Sequence, residues 1–341
     1  PFMDFDLSKQ QEMIRKEVRK FAEKEIAPIA ADLDETETFS NDLTKKMGEI
    51  SLFGMFVPEK YGGQELDYIS YIIAVEEVAR VDGSQAATVA AANSLGIGPI
   101  YYFGSEEQKK KYLPKLSTGK FLWGFGLTEP TAGSDAGGSK TIAVLDGNEW
   151  VINGSKIFIT NAACDLSLGV TVQAVTGKKP DGKNEYSCLL VVHGTPGFKA
   201  VPMHKKMMWR ASNTAELYFD DVRIPKEYMF VDPDFYVPIL DIILASANLC
   251  MASWSVGLSR AAFDEALNYT KERVQGGKPL IEHYTTKQRI FDMFARVETG
   301  RAIARAGMNL NLNISPPLVE YSLVAKTQCT EMAFKNTNEA I

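Results

Sequence analysis

Apolar positions recur at helical spacing from the first residues onward. After Ser8-Lys9-Gln10-Gln11, a capping box in which the Ser8 hydroxyl and the Gln11 side chain satisfy free N–H groups, come Met13, Ile14, Val18, Phe21, Ala22 and Ile26. Pro28, which has no N–H to donate, is expected to close this amphipathic helix. The same period predicts helices over about 41–53, 67–81, 84–95 and 105–117, the last opened by a second capping box at Ser105-Glu106-Glu107-Gln108. After Gly119 the period falls to that of a strand. Thr141 to Leu145, Trp150 to Ile152 and Ile157 to Ile159 are short β-type runs joined by the turn dipeptides Asp146-Gly147 and Asn153-Gly154. Further strands are predicted at Val170–Val175, Cys188–Val192, Phe198–Pro202 and Glu216–Phe219. Beyond Pro225 helical spacing returns over about 238–275, 285–312 and 317–340, the pattern of an antiparallel bundle. The expected fold is therefore α+β: an N-terminal α-helical domain over 1–119, a middle antiparallel β-domain over 120–229 and a C-terminal α-helical bundle over 230–341. No βαβ alternation and no Gly-x-Gly-x-x-Gly after a strand is present, which disfavours a Rossmann-type domain.

Composition narrows the function classes. With 341 residues the chain can build a sizeable core, and a net charge of −6 gives no positive field to attract phosphate backbones, so no nucleic-acid partner is expected. Cys164, Cys188, Cys250 and Cys329 lack any Cys-x-x-Cys spacing, which indicates neither a disulfide framework nor a zinc site and suits a reducing compartment. His193, His204 and His283 are too far apart for a local metal motif, and there is no Gly-x-Ser-x-Gly, so metal and serine-triad catalysis are disfavoured. The start, Pro1-Phe2-Met3-Asp4, has no basic region followed by an apolar run; a cytoplasmic protein, or a mitochondrial matrix protein whose transit peptide has been removed, is expected. Val237 to Leu258 is long and apolar, but it contains Asp241, Asn248 and three serines, so it reads as a buried bundle helix with no integral membrane segment.

Candidate chemistry centres on Phe125-Gly-Leu-Thr-Glu-Pro-Thr-Ala-Gly-Ser-Asp135, where an apolar run meets two glycines, a proline and several hydroxyl or carboxylate residues. Such a loop turns sharply and presents N–H and O–H groups, as an anion cradle does, although a plain turn has the same composition. Downstream, Lys156-Ile157-Phe158-Ile159-Thr160-Asn161 is a strand with an aromatic and a hydroxyl two positions apart, hence expected on one face. Together these stretches resemble the flavin-cradling signatures of the acyl-CoA dehydrogenases, and the resemblance, to the short-chain or butyryl-like branch, extends along nearly the whole chain.

The resemblance implies FAD as cofactor and α,β-dehydrogenation of an acyl-CoA substrate to a 2-enoyl-CoA, with electrons leaving to an electron-transferring flavoprotein from a homotetramer. It assigns cofactor contacts to Phe125, Leu127, Thr128, Gly133, Ser134, Phe158, Ile159 and Thr160. Among these, Thr128 matches the residue at the flavin pyrimidine edge, Ser134 the residue touching pyrophosphate and acyl-CoA, Phe158 the aromatic covering the ring and Thr160 the hydroxyl near N5. Arg273, in Arg273-Val-Gln-Gly-Gly-Lys-Pro-Leu280, resembles the arginine that forks the pyrophosphate across a subunit boundary. Several positions depart from the family pattern. Gly276 replaces a usual Phe, Tyr284 replaces a Gln, and Ala245-Ser246-Ala247-Asn248 replaces Asp-Gly-Gly-Arg, leaving Ser134 and Asn248 as the substrate-binding candidates. Phe230-Val-Asp-Pro-Asp-Phe235 lacks the usual Gly-x-Gly. Ala247 stands where some subfamilies carry the catalytic glutamate, so the base is expected C-terminal to Ile341, and the bundle to be incomplete as given. A catalytically inert flavin- or CoA-binding homologue, or the same fold with oxidase or monooxygenase chemistry, remain the alternatives. The helix around Ala87 to Gly98, rich in small residues, leaves room for a straight, branched or cyclic acyl group.

Overall fold

The computed structural model describes residues 6–230, 236–312 and 318–341. Pro1–Asp4 and most of the Phe230–Phe235 stretch lie outside the described residues. Both capping boxes form. Ser8 Oγ accepts from Gln11 N at 3.2 Å while Gln11 Oε1 accepts from Ser8 N at 3.0 Å, opening α1 (Lys9–Phe21). Pro28 does not end this helix: a π-helical turn at Ala22–Ile26 leads into α2 (Ala27–Glu35), so the proline falls where the hydrogen-bond register already changes and its missing N–H is tolerated. Then follow α3 (Asn41–Glu49), α4 (Tyr68–Ala79), α5 (Gly83–Ala91), a second π-helical stretch (Ala92–Ile97), α6 (Gly98–Phe103) and α7 (Glu106–Leu116), which Ser105 caps. The π stretch and α6 were not legible in the apolar spacing.

Seven strands make one sheet: β1 (Leu122–Gly126), β2 (Ile142–Asp146), β3 (Glu149–Thr160), β4 (Ser167–Lys178), β5 (Asn184–Val192), β6 (Phe198–Pro202) and β7 (Thr214–Pro225). The order is β1-β4-β2-β3-β7-β6, with β5 also on β4. The pairs β2/β3, β3/β7, β4/β5 and β6/β7 are antiparallel as expected, but β1 runs parallel to β4, and β2 meets β4 in parallel at Ile142 and Val175. Asp146-Gly147 makes the β2/β3 turn, with Gly147 at φ +62°. Asn153-Gly154, expected to be a second turn, instead lies inside the continuous β3, where Gly154 (φ +145°) sits at a register shift and a Cβ there would meet Thr141 Oγ1 at 2.6 Å. The sheet core is built from Trp150, Ile152, Val170, Leu189, Leu217 and Phe219 among others.

The C-terminal helices are α8 (Tyr236–Glu272), α9 (Tyr284–Leu312) and α10 (Val319–Ala340). Between α8 and α9 a small hairpin, β8 (Val274–Gln275) and β9 (Lys278–Pro279), turns on Gly276 and Gly277 at φ +62° and +80°; this ends the helix earlier than the expected Gln275. By length and composition α8 could cross a membrane, and half of its apolar window is buried inside the fold.

The chain forms two compact units, one from Pro1–Ala31, Asp67–Ala86 and Leu244–Ile341, the other from Asp32–Leu66 and Ala87–Ile243. In the first, buried Glu77 of α4 accepts from Arg19 of α1 through Nε (2.9 Å) and Nη2 (2.8 Å) and from Arg260 of α8 (3.1 Å), while its neighbour Glu76 accepts from Arg301 of α9 at 2.9 Å. The second unit contains the sheet and the loop described next.

Candidate active site

The loop that follows β1 is held from inside by a buried ion pair. Lys156, on β3, is fully buried, and its ammonium donates to Leu127 O at 3.1 Å, Glu129 Oε1 at 2.8 Å and Ser139 Oγ at 3.2 Å. Glu129 also accepts from the Ser139 hydroxyl, from Lys140 N at 2.7 Å and from Thr141 N at 3.0 Å. Burial alone would push this carboxyl up, but the hydrogen bonds from Lys156, Ser139, Lys140 and Thr141 outweigh it and hold the group at about 2. Ile157 N donates to Thr128 O at 2.9 Å, and Glu129 and Ala132 exchange backbone bonds of 2.8 and 3.2 Å. The far end of the loop is fixed by Gln173 on Ala136 O at 3.0 Å and by the Tyr186 hydroxyl on Gly137 O.

Thr128 is thus brought against the β3 segment that carries Phe158 and Thr160. The alternation expected there is interrupted by a bulge: Lys156 pairs with Leu217 and Ile159 with Ala215, one extra residue on β3. Lys156 and Ile159, three positions apart, are both buried, and Phe158 is turned out to 61 % exposure at φ +63°. A bulky residue in this region of φ is strained, and such strain clusters at functional sites.

Among the described residues, the hydroxyls of Thr128, Ser134 and Thr160 make no hydrogen bond within the chain. A Cβ on Gly133 would meet nothing within 4 Å. One residue past Thr160, Asn161 is fully buried; its amide donates to Thr88 O at 3.1 Å, but its Oδ1 is left without a partner. Not every candidate side chain is available. Phe125 is buried in an apolar cluster with Cys188 and Tyr236, and Ile159 belongs to the sheet core, so both present only backbone to a ligand. Leu127, like Thr128, is half-buried.

The other candidates belong to the first unit. Arg273 follows α8 at the base of the hairpin, exposed and without an ion-pair partner among the described residues. Tyr284 opens α9 and is 81 % exposed. Asn248 and Ala247 are half-buried on α8. Lys156 and Glu129 had no role assigned from the sequence, and no local signal marked them: Lys156 stands between Ser155 and Ile157, with Gly154 and Phe158 two positions away.

Three stretches match family descriptions: residues 8–120 "Acyl-CoA dehydrogenase, N-terminal domain", 124–222 its middle domain and 242–341 its C-terminal domain. The chain belongs to the acyl-CoA dehydrogenase family. It is 43 % identical over 339 residues to a probable acyl-CoA dehydrogenase of Bacillus subtilis, covering 99 % of this chain and 88 % of that one. Butyryl-CoA dehydrogenase from Megasphaera elsdenii superposes with a TM-score of 0.94 at 34 % identity, over 99 % of this chain and 88 % of that one. A glutaryl-CoA dehydrogenase from Mycobacterium smegmatis, solved in complex with FADH2, gives 0.90 at 29 % identity, over 98 % and 84 %. Acyl-CoA dehydrogenases are FAD-dependent oxidoreductases, and the helical, β, helical order seen here is their architecture. The residues present fit such a cofactor: free hydroxyls and an open glycine on a locked loop, with an exposed ring and a further free hydroxyl on the adjoining β3, are what a flat heterocycle with a pyrophosphate tail requires.

Proposed function

We propose that this chain is a short-chain acyl-CoA dehydrogenase that oxidises a butyryl-like acyl-CoA to the 2-enoyl-CoA and passes the electrons to an electron-transferring flavoprotein. The observation that carries this reading is the set of unspent hydroxyls at Thr128, Ser134 and Thr160, with Thr128 held against, and Thr160 on, the β3 segment that turns Phe158 outward. Bound FAD supplies the hydride acceptor. Thr128 offers both a donor and an acceptor to the pyrimidine edge, Thr160 a donor on the next strand segment, and Phe158 an apolar cover. Leu127 and Ile159 contribute backbone, as Phe125 does, while the open turn at Gly133 and Ser134 takes phosphate oxygens. Arg273 forks the pyrophosphate, from a second subunit of a homotetramer. Ser134 in the second unit and Asn248 in the first are each candidates for contact with acyl-CoA. The α-proton of a thioester is too weak an acid for a free carboxylate, so the carbonyl must be polarised by donors as enolate character develops. No carboxylate of residues 1–341 is assigned as that base. α8 serves as a bundle helix outside any membrane, in the cytoplasm or the mitochondrial matrix.

The test is direct. Purified protein should carry one non-covalent FAD per subunit, and anaerobic butyryl-CoA should bleach it. Absence of flavin after reconstitution sinks the flavoenzyme reading. A flavin that no acyl-CoA bleaches indicates an inert homologue, and rapid reoxidation of bleached enzyme by air indicates an oxidase.

A further inference from the structure

We infer that Lys156 and Glu129 are positioning residues whose ion pair holds Thr128 at the cofactor; the inference rests on the flavin site proposed above. Thr128 lies between two residues that the pair grips. Lys156 takes the carbonyl of Leu127 before it at 3.1 Å and the carboxylate of Glu129 after it at 2.8 Å, and Ile157 N, the next residue along β3, takes the Thr128 carbonyl at 2.9 Å. Three consecutive residues are thus tied to one two-residue segment of β3, which runs directly into the bulge at Phe158. All three ammonium protons are used, and Glu129 is saturated by Ser139, Lys140 and Thr141. A buried pair so fully satisfied specifies one backbone geometry, because any slip of the loop strands a charge away from water. Neither side chain needs to touch the flavin. What they set is the distance between the Thr128 hydroxyl and the strand that carries Phe158 and Thr160.

The experiment uses Lys156→Met/Glu129→Gln, which removes both charges together so that neither is left alone in the interior. Three quantities are measured: amide exchange in the FAD-free protein, FAD affinity by titration, and the visible band of bound flavin. The inference expects faster exchange confined to residues 127–132, FAD bound at least tenfold more weakly, and a shifted band. A pair with only a structural role would loosen the whole sheet and leave the band of bound flavin unchanged; that result, or unchanged exchange at 127–132, overturns the inference. If wild-type protein binds no FAD, the proposed function fails, while the exchange pattern still decides whether the pair positions the loop. Should the double variant not fold, Ser139→Ala removes the hydroxyl that touches both ions and keeps their charges paired. A two- to fivefold loss of FAD affinity with local exchange at 127–132 then supports the inference, and wild-type behaviour overturns it.

Discussion

Replacing Glu77 by Gln should destabilise the first unit by about 3 kcal/mol. The carboxylate is 1 % exposed and accepts three charge-assisted hydrogen bonds, two from Arg19 and one from Arg260, which tie α1 and α8 to α4. Each such bond is worth roughly 1.5–3 kcal/mol, and removing one partner of a buried pair typically costs about 3–5 kcal/mol. The lower end applies, because a glutamine oxygen placed where Glu77 Oε1 stands can keep two of the three bonds and the guanidiniums are partly wet, with side-chain exposures of 35 % for Arg19 and 18 % for Arg260. Burial pushes the Glu77 carboxyl up, but Arg19 and Arg260 outweigh it and hold it below its ordinary value of 4.5. A carboxylate depressed in the folded state stabilises above that ordinary value and loses its contribution as pH falls below it. The difference between wild type and Glu77→Gln should therefore be full at neutral pH and shrink on acidification below 4.5. Urea unfolding followed by tryptophan fluorescence, at neutral pH and at several acidic values, measures this, and a cycle with Arg19→Leu should give a coupling of about 1–2 kcal/mol. A loss under about 1 kcal/mol at neutral pH, or a difference that grows on acidification, would refute the claim that this pair ties the helices together.

Three further predictions concern the cofactor site. Arg273→Ala should weaken FAD binding by about 2 kcal/mol, the low end for a charge pair because Arg273 is exposed; equilibrium dialysis showing unchanged affinity would remove it from the site. Ser134→Ala should lower acyl-CoA affinity several-fold, matching one neutral hydrogen bond of about 0.5–1.5 kcal/mol, and spare FAD retention; equal loss of both ligands in parallel titrations would make it a cofactor residue only. Phe158→Gly should leave the FAD-free protein within about 1 kcal/mol of wild type, since relief of positive-φ strain offsets the lost chain restriction. The same variant should bind FAD more weakly with an altered visible spectrum, and wild-type flavin binding would show that Phe158 does not cover the ring.

What the sequence determined on its own was whatever a few neighbouring residues decide. The Ser8 and Ser105 capping boxes form because donor and acceptor lie three residues apart, and Asp146-Gly147 turns because glycine reaches φ +62° without cost. The order of helical, β and helical segments followed from period alone, and the loop around Thr128 was legible from its residue types. Tertiary structure decided the rest. Asn153-Gly154 carries the same local signal as Asp146-Gly147, yet pairing with β7 and the approach of Thr141 keep it in a strand. Pro28 was tolerated because a π-helical turn precedes it, and β1 lies parallel to β4, a pairing between segments too distant for any local pattern to record. At the site, spacing alone assigned Phe158 and Thr160 to one face; a bulge set by β7 turned Phe158 outward into a strained backbone. Lys156 and Glu129, 27 residues apart, read as ordinary charges until the sheet buried them together. Charges of opposite sign acquire a shared role only when folding removes the water between them, and that is a property of the tertiary structure.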